Sequence, residues 1–340
     1  MSENHNPLAE LGAKFLFLVW GTPDQGPRSR VMADKLGMPV HFIQTTLPRG
    51  ALYIPIKYPI QAAKTLQLLF RQRPQVVFVQ NPPVLAVFLV WVYCALTGAG
   101  YVIDAHSEAL LAPGWTAPPN WIKRLLAWRA IATLVTNEQL RQMVEQLGGR
   151  VLIVRDVPTV FKTHSEYPVS RQFNVALINT FAADEPVPQV LQAAAELPAV
   201  QFYVTGRLKR KYAEMVASAP ANVHFTDFLP DDQYYGLLNT VQTVMCLTTR
   251  NHTMQRGACE ALSLGKPIIT SDWPMLREYF NKGTVHVDNT VEGIRQGVAR
   301  MQQDHHRYEA GIKELQVDQQ REWHEKISAL ASLIQGHGRG

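Results

Sequence analysis

Short apolar runs alternate with longer helical patterns along most of the chain. "KFLFLVWG", "PVHFIQT", "QVVFVQNPP", "GYVIDAHS", "TLVTN" and "RVLIVRDVP" come first. Parallel strands are covered on both faces, so they read as near-continuous apolar runs, and helical stretches between them imply βαβ units. From Arg155 to Arg171 the pattern gives way to the polar, Pro-containing "RDVPTVFKTHSEYPVSR", which reads as an inter-domain link. The alternation then restarts with "FNVALINTF", "VQFYVTG", "NVHFTDF", "TVMCLTT", "KPIITSD" and "TVHVD". The pattern predicts an α/β chain of two Rossmann-like domains, with parallel sheets facing across a cleft. The first takes residues 1–160 and the second 161–304. Residues 305–340 form a Glu-, Gln- and Lys-rich helix packed across the domains, ending in the frayed tail "GHGRG".

Val84 to Ile103, "VLAVFLVWVYCALTGAGYVI", is 20 residues without a charge, which meets the length criterion for a spanning helix. "TGAG" breaks it, however, and "YVID" beyond the break looks like the next strand, so a buried helix between two strands is the better reading. "WIKRLLAWR", Trp121 to Arg129, admits two readings: a surface helix with one buried face, or an interfacial helix resting on anionic lipid.

Composition narrows the class. The 340 residues can bury two cores, and a chain 46% hydrophobic and 18% charged is ordinary for a globular enzyme and too apolar for disorder. The net charge of +5 suits an anionic substrate, an anionic membrane or nucleic acid without choosing among them. "MSENHNPLAELGAK" lacks the basic and apolar regions of a secretory signal, and Cys94, Cys246 and Cys259 look like reduced core residues. Both features predict a cytoplasmic protein, peripheral on the inner face of the membrane if it binds lipid.

The chemistry concentrates at "RGACEALSLGKPIITSD", Arg256 to Asp272. This stretch, with "WPMLREYF" after it, resembles the donor-site signature of GT-B glycosyltransferases, especially the large family 4: Glu260, Ala261, Leu262, Ser263, Gly265, Lys266, Pro267, Ile268 and Ile269 fill its pattern. The order of strand, glycine, strand and tyrosine-bearing helix upstream is similar as well. In the first half, "VQNPP" and "VIDAHSEAL" resemble segments of the mannosyltransferases that place the first β-mannose on lipid-linked chitobiose.

The resemblance implies a GT-B fold and a metal-independent hexosyltransferase. It would move a sugar from a nucleotide-sugar donor to a glycan or lipid-linked acceptor, as in polysaccharide biosynthesis, with no cofactor besides the donor. The turn "NHTMQRG" opens the helix carrying Glu260, so its amides could face the donor diphosphate, with Arg250 or Arg256 neutralising it and Thr253 beside them. Glu260 is then placed to accept hydrogen bonds from the ribose.

The sequence also departs from the family. His252 stands where many relatives have a first Glu contacting the sugar, and "NTFAADEPVP" puts Asp184 and Glu185 where relatives often carry an Arg and a Lys for the diphosphate. Arg207, after Gly206, is a further phosphate candidate. Asp104 and His106 end a strand, where open α/β sheets bind ligands, and are the catalytic candidates. In an inverting enzyme His106 is a base for the acceptor hydroxyl; in a retaining one it holds the sugar or the developing charge. Family 4 implies retention, the mannosyltransferase likeness inversion; retention is the favoured expectation.

Other chemistries find no support. Cys-x2-Cys, His-Glu-x2-His, Gly-x-Ser-x-Gly and Asp-x-Asp are all missing, and "WGTPDQGPRSR" lacks the Gly-Lys-Ser/Thr of a P-loop. Basic residues without an RNA-type aromatic motif make nucleic acid a poor partner. Two rivals stay open: a nucleotide-sugar epimerase of the same fold, and a degenerate glycosyltransferase serving as an assembly partner.

Overall fold

The computed structural model describes residues 6–22, 27–46, 51–106, 110, 119–159, 161, 165–251 and 253–338. The chain divides into two compact units, Met1–Val157 with Glu322–Gly340, and Pro158–Arg321. Each contains one six-stranded, wholly parallel sheet.

The first sheet contains β1 (Phe15–Trp20), β2 (Val40–Ile43), β3 (Val76–Asn81), β4 (Gly100–Ala105), β5 (Ala132–Val135) and β6 (Val151–Ile153), in the order β2-β1-β3-β4-β5-β6. The central strands β3, β4 and β5 are buried almost throughout, whereas the edge strands β2 and β6 are mostly half-buried. That difference explains why β1, β3 and β4 read as plain apolar runs and the edges do not. Helices α1 (Pro27–Lys35), α2 (Ile54–Gln72), α3 (Val84–Thr97), α4 (Asn120–Arg129) and α5 (Glu138–Gln146) complete the βαβ units. One face of the sheet packs on α2, α3, α4 and α5 through Leu69, Val87, Val90, Leu126 and Val144. The other packs on α1 and on the end of the last helix through Met32, Trp323, Ile327 and Leu330.

The apolar stretch from Val84 is indeed a buried helix between strands. Gly98 ends α3 in the left-handed conformation (φ 75°) that a residue without Cβ adopts freely, and its N–H bonds the Cys94 carbonyl. Fourteen residues rise about 21 Å, short of a bilayer's hydrocarbon core of about 30 Å. No described helix is long and apolar enough to cross a membrane.

The second sheet contains β7 (Phe173–Leu177), β8 (Val200–Thr205), β9 (Val223–Asp227), β10 (Thr243–Cys246), β11 (Ile268–Ser271) and β12 (Thr284–Val287), ordered β12-β11-β10-β7-β8-β9. Its helices are α6 (Val187–Ala195), α7 (Ala213–Ala217), α8 (Asp231–Thr240), α9 (Arg256–Ser263), α10 (Pro274–Tyr279) and α11 (Val291–Gln303). Leu237, Leu238, Ala258, Leu262 and Leu276 cover one face from α8, α9 and α10; Val190, Ile294 and Val298 cover the other from α6 and α11. The last helix, α12 (His305–His337), runs 33 residues unbroken; residues up to Arg321 count with the second unit and those from Glu322 with the first.

The described residues of the link from Arg155 to Arg171 form neither helix nor strand. Those after Val157 pack within the second unit, where Phe161 stacks on Tyr235 with ring centroids 4.0 Å apart.

Candidate functional site

In the first unit, β3 and β4 pair in register with Gln80 opposite Asp104 and Asn81 opposite Ala105. This brings the "VQNPP" and "DAHS" segments, far apart in sequence, to one sheet edge, and His106 N–H donates to the Asn81 carbonyl at 2.8 Å.

Asp104 is fully buried, and its partners come from α1 and from the end of its own strand. Arg28 Nε lies 3.4 Å from Oδ1, Ser29 Oγ 2.9 Å from Oδ2, and His106 Nε2 3.3 Å from Oδ2. Ser29 Oγ also lies 3.0 Å from Gln80 Oε1; its single proton can serve only one of the two acceptors. Arg28 ties the group to the next strand end by donating to the carbonyls of Val154 and Arg155 at 2.7 and 3.2 Å. Burial pushes the Asp104 carboxyl up. The Arg28 charge and the bonds from His106 and Ser29 together outweigh it and hold the carboxyl well below the ordinary carboxylate range.

Asp104 is therefore a buried anion whose contacts fix the position of His106. The His106 side chain is 27% exposed and is the accessible member of the pair. Asn81 Oδ1 at the same edge is buried without a hydrogen-bond partner among the described residues. Residues 23–26 of "WGTPDQGPRSR" lie outside the described residues; Arg28 and Ser29, just beyond them, serve the Asp104 network.

In the second unit, Glu260 sits on the outward turn of the eight-residue α9, whose Gly257, Ala258, Cys259, Ala261 and Leu262 are buried. Small residues let this helix lie close to the sheet: a Cβ on Gly257 would come within 2.8 Å of Ile178. The carboxylate is held from two sides. Tyr234 OH donates to Oε2 at 2.8 Å and Arg256 Nε to Oε1 at 2.9 Å. Burial first, and then the Glu260 charge, raise the Tyr234 hydroxyl well above its ordinary pKa, so it stays a donor. Glu260 is thus fixed as a half-buried acceptor with lone pairs to spare.

The other donor-side candidates are placed as follows. Arg250 is exposed and 3.4 Å from Asp184, which also accepts from Thr248 Oγ1 at 2.8 Å. Thr253 is half-buried just before α9. His252 lies outside the described residues. Arg207 is exposed at the end of β8, two strands from β10, with its guanidinium over the Phe228 ring at 4.8 Å. Glu260 and Arg256 therefore meet, as do Arg250 and Asp184, while Arg207 stands apart from both pairs.

Two findings qualify the expected phosphate cradle. Cys246, whose thiol is pushed up to about 12 by burial, lies under the start of α9 and donates to Gln255 Oε1 at 3.0 Å, and the Ala258 and Gly257 amides act on its sulfur. The loop after β7 carries its own anion: Glu185 accepts from the Thr180 and Ala182 N–H groups, at 2.9 and 2.7 Å to Oε2, and from Thr180 Oγ1. Glu185 therefore satisfies its own loop, and Asp184 ties that loop to the one after β10 through Thr248 and Arg250. Among the described residues no group of three or more His, Cys, Asp and Glu side chains is placed to hold a metal ion.

Nothing local in the sequence marks Arg28, Ser29, Gln80 or Tyr234 as site residues. Each acts across a gap of 26 to 76 residues, and no spacing rule spans it. The tyrosines at 234 and 235 are adjacent, and only packing decides which one reaches Glu260.

Residues 179–304, within the second unit, match the family model for glycosyl transferases group 1. The chain as a whole has the GT-B fold. It is similar to HepE of Anabaena in complex with UDP (TM-score 0.63, 14% identity, 95% of this chain and 98% of that one). It is also similar to sucrose-phosphate synthase of Thermosynechococcus elongatus (0.62, 12%, 96% and 98%). A third likeness is to a UDP-N-acetylglucosamine 2-epimerase from Listeria monocytogenes (0.60, 9%, 88% and 91%). No curated protein sequence matches the chain.

Proposed function

We propose that this protein transfers a hexosyl group from a nucleotide-sugar to a glycan or lipid-linked acceptor. The anomeric C–O bond to the diphosphate breaks and the nucleoside diphosphate leaves with the electron pair. A new bond forms between the anomeric carbon and the acceptor oxygen, whose proton passes to the departing phosphate if configuration is retained. The observation that carries this reading is Glu260, fixed by Tyr234 and Arg256 with part of its side chain still exposed, inside the stretch that matches the family model.

In the retaining course that the group 1 likeness favours, Glu260 holds the ribose, Arg250 meets the diphosphate, and His106, oriented by Asp104, stabilises charge at the sugar. Asn81 Oδ1 offers an acceptor to an incoming hydroxyl. No metal is assigned a step. A cytoplasmic enzyme peripheral to an anionic membrane, with α4 as the interfacial helix, fits a lipid-linked acceptor of polysaccharide assembly. HepE was solved with UDP, so uridine is the first base to try.

The test is calorimetric titration with nucleoside diphosphates, followed by a panel of nucleotide-sugars scored for slow hydrolysis. Binding of a diphosphate with release of sugar supports the reading; no binding by any of them would leave the degenerate scaffold. The epimerase alternative has the Listeria likeness behind it and predicts an altered sugar nucleotide from donor alone.

A further inference from the structure

Helix α2 is apolar on two sides. Its inner side packs Tyr58, Ala62, Leu66 and Leu69 on the core, with Gln61 donating to the Ile43 carbonyl at 2.9 Å and Thr65 Oγ1 accepting from Trp20 Nε1 at 2.8 Å. Its exposed side carries Pro55, Ile56, Pro59, Ile60 and Ala63 beside Lys64, Gln67 and Arg71, with Phe70 two turns beyond Ala63, and Leu52 leads into it. One apolar stripe suffices to pack a surface helix on its domain, so large apolar side chains left exposed on the other side mark a contact surface.

The placement is not scattered. Leu52 (83% exposed), Ile56, Ile60 and Phe70 belong to α2 and its approach, Leu96 to α3, and Trp121 (65%) and Trp128 (60%) to α4; among the described residues only Phe228 and Val317 are comparable elsewhere. Helices α2, α3 and α4 lie in one layer on the same sheet face, with α3 contacting both neighbours. Their outer sides form one face of the first unit.

The charge on that face has a single sign. No Asp or Glu occurs from Lys35 to Ile103, nor within α4, while Lys57, Lys64, Arg71, Lys123, Arg124 and Arg129 lie on α2 and α4. Lys64 donates to the Gln44 carbonyl, and the Arg129 guanidinium lies over the Trp128 ring at 4.6 Å, an aromatic and cationic pairing suited to a headgroup layer.

We propose that the outer face of α2, α3 and α4 docks on an anionic lipid bilayer, with Leu52, Ile56, Ile60, Phe70, Trp121 and Trp128 entering the interface. This deepens the reading of α4 as an interfacial helix and rests on it for the partner's chemistry; what is new is that α2 is the principal apolar contact. A second copy of the chain is the rival occupant, but two such faces would bring six or more cations against their like with no carboxylate between them.

The test is co-sedimentation of the full chain with vesicles of phosphatidylcholine alone or mixed with phosphatidylglycerol. The parent should bind the mixed vesicles and bind phosphatidylcholine poorly. Ile56→Ser, Ile60→Ser and Phe70→Ser together should lower affinity for mixed vesicles by about a hundredfold. Phe228→Ser with Val317→Ser should not change it. The α2 side chains are exposed, so helix content and melting temperature should match the parent; where they do not, the single change Ile56→Ser, expected to cost several-fold, decides.

If the α2 variant binds like the parent while Lys123→Gln, Arg124→Gln and Arg129→Gln abolish binding, the inference about α2 falls and the reading of α4 stands. Equal binding to both vesicle types, or none, overturns the docking surface altogether. A dimer in light scattering that the α2 changes dissolve, without vesicle binding, assigns the face to a second copy.

Discussion

Asp104 and Glu260 are both carboxylates held by hydrogen-bonded partners from distant parts of the chain, and they differ in one respect that decides what each can do. Asp104 has no exposed surface, and Arg28, Ser29 and His106 saturate it. Glu260 is gripped by Tyr234 and Arg256 and keeps 13% of its side chain exposed. A sealed carboxylate is an internal counter-ion whose value lies in the geometry it imposes, whereas one that reaches the surface can exchange water for a ligand hydroxyl. Chemistry should therefore pass through the neighbour in the first unit, His106, and through the carboxylate itself in the second.

The strongest way to break this contrast is Asp104→Ala. It strands Arg28 and should cost about 3–5 kcal/mol of stability, read by denaturant melts. A loss under 1 kcal/mol would mean that the network is not structural. His106→Ala comes next: turnover should drop by about a hundredfold with the melting temperature nearly unchanged. Full activity would return His106 to a packing role. Glu260→Gln should weaken nucleoside diphosphate binding by about 1.5–3 kcal/mol in titration calorimetry, and the full donor equally, because the lost contact is to the nucleoside. Unchanged diphosphate affinity would refute the placement of the ribose.

The smallest effect is in pH. Asp104 has a depressed folded-state pKa, so its contribution to stability is complete above the unfolded value, about pH 4, and is lost as pH falls toward the folded value. The stability gap between parent and Asp104→Asn should thus be constant near neutrality and narrow below about pH 4 in thermal melts at stepped pH. A gap that widens on acidification would contradict the assignment of Arg28 and His106 as its partners.

The same contrast sorts what could be read from the sequence. Eleven of the twelve strands fall within the quoted runs and β5 starts one residue before its own. The central strands are near-unbroken apolar stretches because both faces are covered, whereas the half-exposed β2, β9 and β12 admit His, Thr or Asp. The break of α3 at Gly98 and the small-residue character of α9 were equally legible, since conformation and close approach are written in residue type. The motif around Glu260 was visible for a related reason: its helix, turn and strand are contiguous.

The partners of the two carboxylates were not visible. Arg28 meets Asp104 across 76 residues and Tyr234 meets Glu260 across 26, distances over which sequence carries no local period. Likewise, the sequence showed Asp184 and Glu185 where basic residues were expected, but only the folded loop shows Glu185 turned onto the Thr180 and Ala182 amides. Local pattern fixed the α/β elements of this protein, because burial and backbone geometry act residue by residue. Tertiary structure alone decided which polar groups face each other, because that depends on strand order and on which side of each helix the core claims. The same holds for α2, which is apolar on two sides: only the packing shows that Leu66 and Leu69 face the core while Ile56, Ile60 and Phe70 face the solvent.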